Sequence, residues 1–158
     1  MKADKAPKKM SRPLPKKFNI SKHKKIIESL SENMDEIKFE KLCEPIVFDI
    51  LENYEGFEEI EKGPEIRGTP FDFLGCKEGN PFIIEFKGSL NRFNSPGETQ
   101  KRRMQEILKH IKGLNIALLQ VKLKKAEYRV FYSEDMNILF NGGKAPIKPI
   151  VDWIKKRL

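Results

Sequence analysis

Only two of the 158 residues are cysteine, Cys43 and Cys76, too few for a disulfide framework and without the spacing of a zinc site. Both adjoin apolar residues and read as small core side chains in a reducing, cytoplasmic compartment. Histidine is equally scarce. His23 and His110 have no partner at ligand or triad spacing and read as surface residues. Ser89 and Ser95 have no nearby His, which leaves a serine nucleophile without its base. No apolar run is long enough to span a membrane, so no membrane partner is expected. The charged N-terminus lacks the apolar stretch of a secretory signal. There is also no glycine-rich phosphate loop of either common nucleotide-binding form.

What is present is charge, unevenly placed. Residues 1–25 carry nine Lys, Arg12 and one acid, a net +9. Residues 26–65 carry three Lys and thirteen acids, a net −10. Residues 66–158 return to +9. A basic tail and a basic second half favour nucleic acid or another polyanion through counterion release. Residues 1–19, rich in Lys and Pro, read as a tail without fixed structure, and residues 20–158 as a single domain.

Within that domain, Ser21 to about Ser31 reads as a short helix. Phe39, Leu42, Cys43, Ile46, Val47, Ile50, Leu51 and Tyr54 follow the i, i+3, i+4, i+7 rule of an amphipathic helix ended by Gly56. Pro45 either opens this helix or joins an earlier turn to it with a kink. Phe57 to Glu61 reads as a first strand. Pro70 to Gly75 and Pro81 to Gly88 read as a hairpin turning at residues 76–80. Ser95-Pro96-Gly97-Glu98 reads as a helix start, with Ser95 as cap and Pro96 in the first position. Met104, Ile107, Leu108 and Ile111 form that helix's buried stripe, and Gly113 stops it. Asn115 to Val121 and Glu127 to Tyr132 read as strands, and a last amphipathic helix lies around residues 150–158. The order predicts an α/β (α+β) sandwich, a mixed central sheet flanked by helices.

The chemistry concentrates on the hairpin. Alternation puts Ile83, Glu85 and Lys87 on one face of their strand and Phe82, Ile84 and Phe86 on the other. A Glu and a Lys inside so apolar a run are costly unless paired or bound to a metal. Asp72 across the hairpin would bring two carboxylates and an ammonium within reach of one divalent cation. A salt bridge on an amphipathic edge strand is the plainer alternative.

Helix–β–β–β–helix–β, with Pro70-Phe71-Asp72 on the second strand and Glu85-Phe86-Lys87 on the third, resembles the PD-(D/E)xK nuclease superfamily. That superfamily includes restriction endonucleases and Holliday-junction resolvases. The run from Phe82 to Gly88, followed by Ser95, Gln100, Gly113 and Ala117-Leu118-Leu119, looks like its VRR-NUC branch. Phe71, standing between Pro70 and Asp72, departs from the usual motif. The resemblance covers about residues 40–121 and implies a restriction-endonuclease-like αβββαβ core. It implies a Mg²⁺- or Mn²⁺-dependent deoxyribonuclease working in DNA repair, recombination or restriction, and a homodimer where both strands are cut. Asp72, Glu85 and the backbone carbonyl of Phe86 would be the metal ligands. Lys87 would orient or deprotonate the attacking water or neutralise the phosphate, and Gln100 would hold that water or Lys87. The upstream helix often supplies another carboxylate. Glu44 matches that position best, with Glu40 its rival one turn earlier. Lys101, Arg102, Arg103, Arg92, Lys16 and Lys17 are the expected nucleic-acid contacts. The same fold without catalysis would be a nucleic-acid-binding module.

Overall fold

The computed structural model describes residues 13–63, 65–66, 69–110 and 115–132. Chain order begins with β1 (Lys16–Lys17), a 3₁₀ turn (Ser21–His23), α1 (Lys24–Ser29) and α2 (Glu36–Asp49). A π turn (Ile50–Tyr54) extends α2. Strands β2 (Glu58–Lys62), β3 (Glu65–Ile66), β4 (Thr69–Pro70), β5 (Phe73–Lys77) and β6 (Asn80–Ser89) follow. Then come α3 (Glu98–His110), β7 (Ile116–Lys122) and β8 (Glu127–Tyr132). Six strands form one mixed sheet in the order β1-β8-β7-β6-β5-β2, and β3 and β4 pair as a separate small ribbon. β6 and β7, joined through α3, are parallel. Every other neighbouring pair is antiparallel.

The long central strand β6 is covered on both faces, as expected where a parallel pair sits mid-sheet. On one face Ile84 and Phe86 join Phe39, Cys43, Ile46, Val47 and Ile50 of α2 and its extension in the main core. By alternation Ile83 and Glu85 point to the other face, where Met104 of α3 is also fully buried. The β5–β6 turn uses Glu78 and Gly79, at φ 52° and 78°. Positive φ at both central residues suits a two-residue hairpin.

Several sequence expectations need correction. α2 begins at Glu36, capped by Asp35, whose side chain accepts from the Lys38 amide at 3.1 Å. It therefore runs through Pro45, so of the two readings of that proline the one that joins an earlier turn to the helix holds, and the helix does not start there. The tail boundary also moves. Lys16–Lys17 pairs with β8, and Phe18 is buried with its amide on the Ala126 carbonyl at 3.0 Å. α3 starts at Glu98, two residues after Pro96, because Ser95 and Asn94 are tied sideways to Gln120 of β7. His23 is not a surface residue: it is buried, with Nε2 2.7 Å from Asp49 Oδ2. Asn53 donates to the same carboxylate at 2.7 Å and Lys22 lies 3.3 Å from it, so Asp49 is held below its ordinary pKa against the effect of burial. The expected side chains Ile107, Leu108, His110 and Ile111, the stop at Gly113 and the helix around 150–158 lie outside the described residues or side chains.

Glu55 ties the end of the α2 unit to the sheet. Its carboxylate accepts from Tyr128 and Tyr132, each at 2.6 Å, and pairs with Lys16 at 3.0 Å and Lys77 at 3.3 Å. Against burial, these partners hold it down at about 2. A depressed carboxyl stabilises the fold above its ordinary value near 4.5, and that contribution is lost as pH falls toward 2. The shift is worth at most about 3 kcal/mol. Glu55→Gln is expected to lower the melting temperature at pH 7, with the gap to wild type closing as pH approaches 2. A gap that stays constant from pH 7 to pH 2.5 in thermal unfolding would remove the charge from this account.

Candidate functional site

Asp72 stands in a bend just ahead of β5, not inside the strand, yet the β5–β6 register still aims it at Glu85. Phe73 pairs with Ile84, so position 72 continues opposite 85. Two backbone contacts fix it. The Phe86 amide donates to Asp72 Oδ2 at 2.8 Å, and the Gly63 amide donates to the Asp72 carbonyl at 2.9 Å. Gly63 is forced by closeness: a Cβ there would lie 2.1 Å from the Phe71 carbonyl oxygen. Gly63→Ala must displace the backbone that carries Asp72, at a cost of about 1–3 kcal/mol. The expected result is a lower melting temperature together with loss of any activity that depends on Asp72. A variant as stable as wild type would show that the bend moves freely.

Glu85 is 5% exposed on β6. Gln100, from the first turn of α3, donates through Nε2 to Glu85 Oε2. Glu85 Oε1 is fully buried and accepts from no described residue. Burial and the neighbouring Asp72 push the Glu85 carboxyl up to about 8, and burial likewise raises Asp72. The two carboxyls face each other across the hairpin, and each disfavours ionisation of its neighbour. Lys87, two residues on, has Nζ 3.5 Å from Glu36 Oε2 on α2 and is a cation within electrostatic reach of both acids.

The upstream helix contributes Glu40, not the favoured Glu44. Glu44 pairs with Lys62 of β2. Glu40 is half-buried and raised to about 7, first by burial and then by Asp72. Both residues lie on one helical row, but only Glu40 lines the open groove of about 670 Å³ that also contains Asp72, Glu85, Lys87 and Gln100. Of the predicted nucleic-acid contacts, Arg103 lines the same groove. Arg92 lines an adjoining cavity. Arg102 is exposed and outside both, and Lys101 is 3.8 Å from Glu98. Lys16 and Lys17 sit at the far edge strand, on Glu55 and on the Lys125 carbonyl and Glu127. Their contacts serve the fold, and they stand apart from the groove. Phe86 buries its ring in the main core and offers its amide to Asp72.

The donor set suits a hard divalent cation. Two carboxylates converge, and one of their buried oxygens lacks a donor. Among the described residues no three His, Cys, Asp or Glu side chains form a ready ligand cluster. One or two carboxylates completed by water and substrate phosphate are nonetheless the usual provision for Mg²⁺. Among the described residues no helix is long and apolar enough to cross a membrane. Compared with known proteins, the chain matches no family model, no curated protein and no solved structure.

Proposed function

We propose that this protein is a metal-dependent nuclease with a restriction-endonuclease-like core, hydrolysing phosphodiester bonds of DNA with Mg²⁺ or Mn²⁺. One observation carries the reading. Asp72, Glu85, Lys87 and Gln100, from a bend, a central strand and a helix start, line one groove with Glu40, and Glu85 Oε1 there has no donor. A merely structural Glu–Lys pair on an edge strand would need neither burial nor a second carboxylate. Here β6 is central, and Lys87 pairs with Glu36 instead of Glu85.

Asp72 and Glu85 would hold the cation, with the Phe86 carbonyl as a backbone ligand. When bound, it supplies an activated water and charge neutralisation at the phosphate. Gln100 fixes the Glu85 carboxylate in one orientation, so the ligand geometry is set before substrate arrives. Lys87 reaches the groove from the strand that carries Glu85 and offers ammonium protons to a non-bridging phosphate oxygen or to the attacking water. Arg103, one helical turn beyond Gln100, meets the phosphate backbone along the groove wall.

The test is a panel of linear duplex, single strand, flap, splayed arm and four-way junction, each with Mg²⁺, with Mn²⁺ and with EDTA. Cleavage that needs the metal and disappears in Asp72→Asn is the expected result. Binding of these substrates without cleavage under any metal would assign the protein to non-catalytic nucleic-acid binding.

A further inference from the structure

Beside the carboxylates, the groove opens into a second, smaller cavity of about 160 Å³. The two share Glu36, Glu40, Lys87 and Asn94, so whatever lies over Lys87 borders both. The small cavity has an apolar floor of Met34, Phe39 and Leu90. Phe39 and Leu90 are buried in the main core and Met34 packs partly against it, so the floor is preformed. Its rim is polar, with the carboxyls of Glu32, Glu36 and Glu40, the cations Lys87 and Arg92, and the uncharged Ser89 and Asn94.

These features select an occupant. A phosphate meets more carboxyls than cations here and gains nothing from an apolar floor. A flat, uncharged ring with N–H donors at its edge suits both, because carboxylates accept from exocyclic amines as they do from cytosine. The size agrees: a cavity of about 150 Å³ takes one benzene-sized ring. A base pair does not fit, so the ring has to leave its stack. A second feature stands ready to part a stack. Ile37, in the first turn of α2, is 76% exposed and lines the groove near Asp72 and Glu85. Apolar side chains of this kind enter between base steps and unstack them.

We propose that the small cavity receives one unpaired nucleobase of the strand whose phosphate lies at Lys87, with Ile37 wedged against the neighbouring base, so that the substrate is DNA carrying an unpaired nucleotide beside the cleaved bond. This deepens the nuclease reading and rests on it for the position of the cleaved bond. A ring seated on Phe39, Met34 and Leu90 is worth about tenfold or more in affinity over a paired one.

Two duplexes of one sequence, one perfect and one with a single bulged cytosine, provide the test. In EDTA the wild-type protein is expected to bind the bulged duplex about tenfold more tightly. Met34→Trp, which fills the cavity, is expected to bring the two affinities within about twofold. Ile37→Ala, at an exposed position that the fold does not need, is expected to reduce the preference by about threefold. In Mg²⁺, cleavage should map beside the bulge. Equal affinity for the two duplexes, or a full preference surviving in both variants, overturns the base pocket even if cleavage occurs. A bulge preference that Met34→Trp removes, with no cleavage in any metal, supports the pocket and overturns the nuclease reading instead.

Discussion

Glu85→Gln is expected to abolish Mg²⁺-dependent cleavage and, in the metal-free protein above pH 8, to raise the melting temperature. The two effects have one cause. Glu85 is buried beside Asp72, which pushes its carboxyl up to about 8. A raised carboxyl keeps a proton in the folded state that the unfolded chain releases near 4.5. Its favourable contribution is therefore full below 4.5 and is lost as pH rises through 8. Above that pH the fold holds two adjacent anions at a cost of about 2 kcal/mol or more. Gln has the same shape and no charge, so the variant is expected to melt about 5 °C higher at pH 9 and to lose the advantage by pH 5. The same deletion removes a cation ligand, and the rate is expected to fall by about a thousandfold or more. Mg²⁺ should raise the melting point of wild type and leave Glu85→Gln unmoved. Differential scanning calorimetry at pH 5, 7 and 9, with and without Mg²⁺, reads all of this. A variant less stable than wild type at pH 9 would mean that Glu85 is a structural partner, not a strained ligand.

Much of the fold was legible because its signals are local. A short apolar run bounded by turn residues at 81–88 located β6, and the 3.6-residue stripe from Phe39 to Leu51 located α2. The convergence of Asp72 and Glu85 followed from hairpin register alone. Pairings between distant residues were not legible. Glu40 and Glu44 share a helical row, and only the reach of Lys62 from β2 decides that Glu44 turns aside. The buried His23–Asp49 pair spans 26 positions, and the Glu55 contacts to Tyr128 and Tyr132 span 73 and 77. Glu55 did carry one local sign, an acid directly before a helix-ending glycine, where the C-terminal dipole disfavours it. Such a position calls for cations and hydroxyls, which Lys16, Lys77 and the two tyrosines supply. The Lys-rich beginning of the chain concealed β1 because two lysines pairing as an edge strand have the composition of a solvated tail.

Lys87→Ala is expected to reduce turnover by about a hundredfold to ten-thousandfold, the range for a positioned proton donor or acceptor, with KM changed by less than about threefold. The ammonium is mostly buried, its side chain 16% exposed, and its ion-pair partner Glu36 is 72% exposed. An ion pair with so exposed a partner contributes little, about 0–1 kcal/mol, so stabilising the fold is not what Lys87 mainly does. Its larger influence is on the groove, where its charge lowers the carboxyl pKa of Asp72, Glu85 and Glu40 together. Removing it takes a positive charge away from a cation site. Mg²⁺ is therefore expected to bind Lys87→Ala at least as tightly as wild type while the chemistry fails, which separates loss of metal from loss of catalysis. Lys87→Arg keeps the charge and replaces a compact donor with a planar fork, so it is expected to retain substrate affinity and recover little turnover. Isothermal titration with Mg²⁺ and single-turnover cleavage at saturating DNA distinguish the roles. If Lys87→Ala keeps its single-turnover rate and loses affinity for DNA, Lys87 belongs with Arg103 as a phosphate contact. The reacting water would then be left to the carboxylates and Gln100.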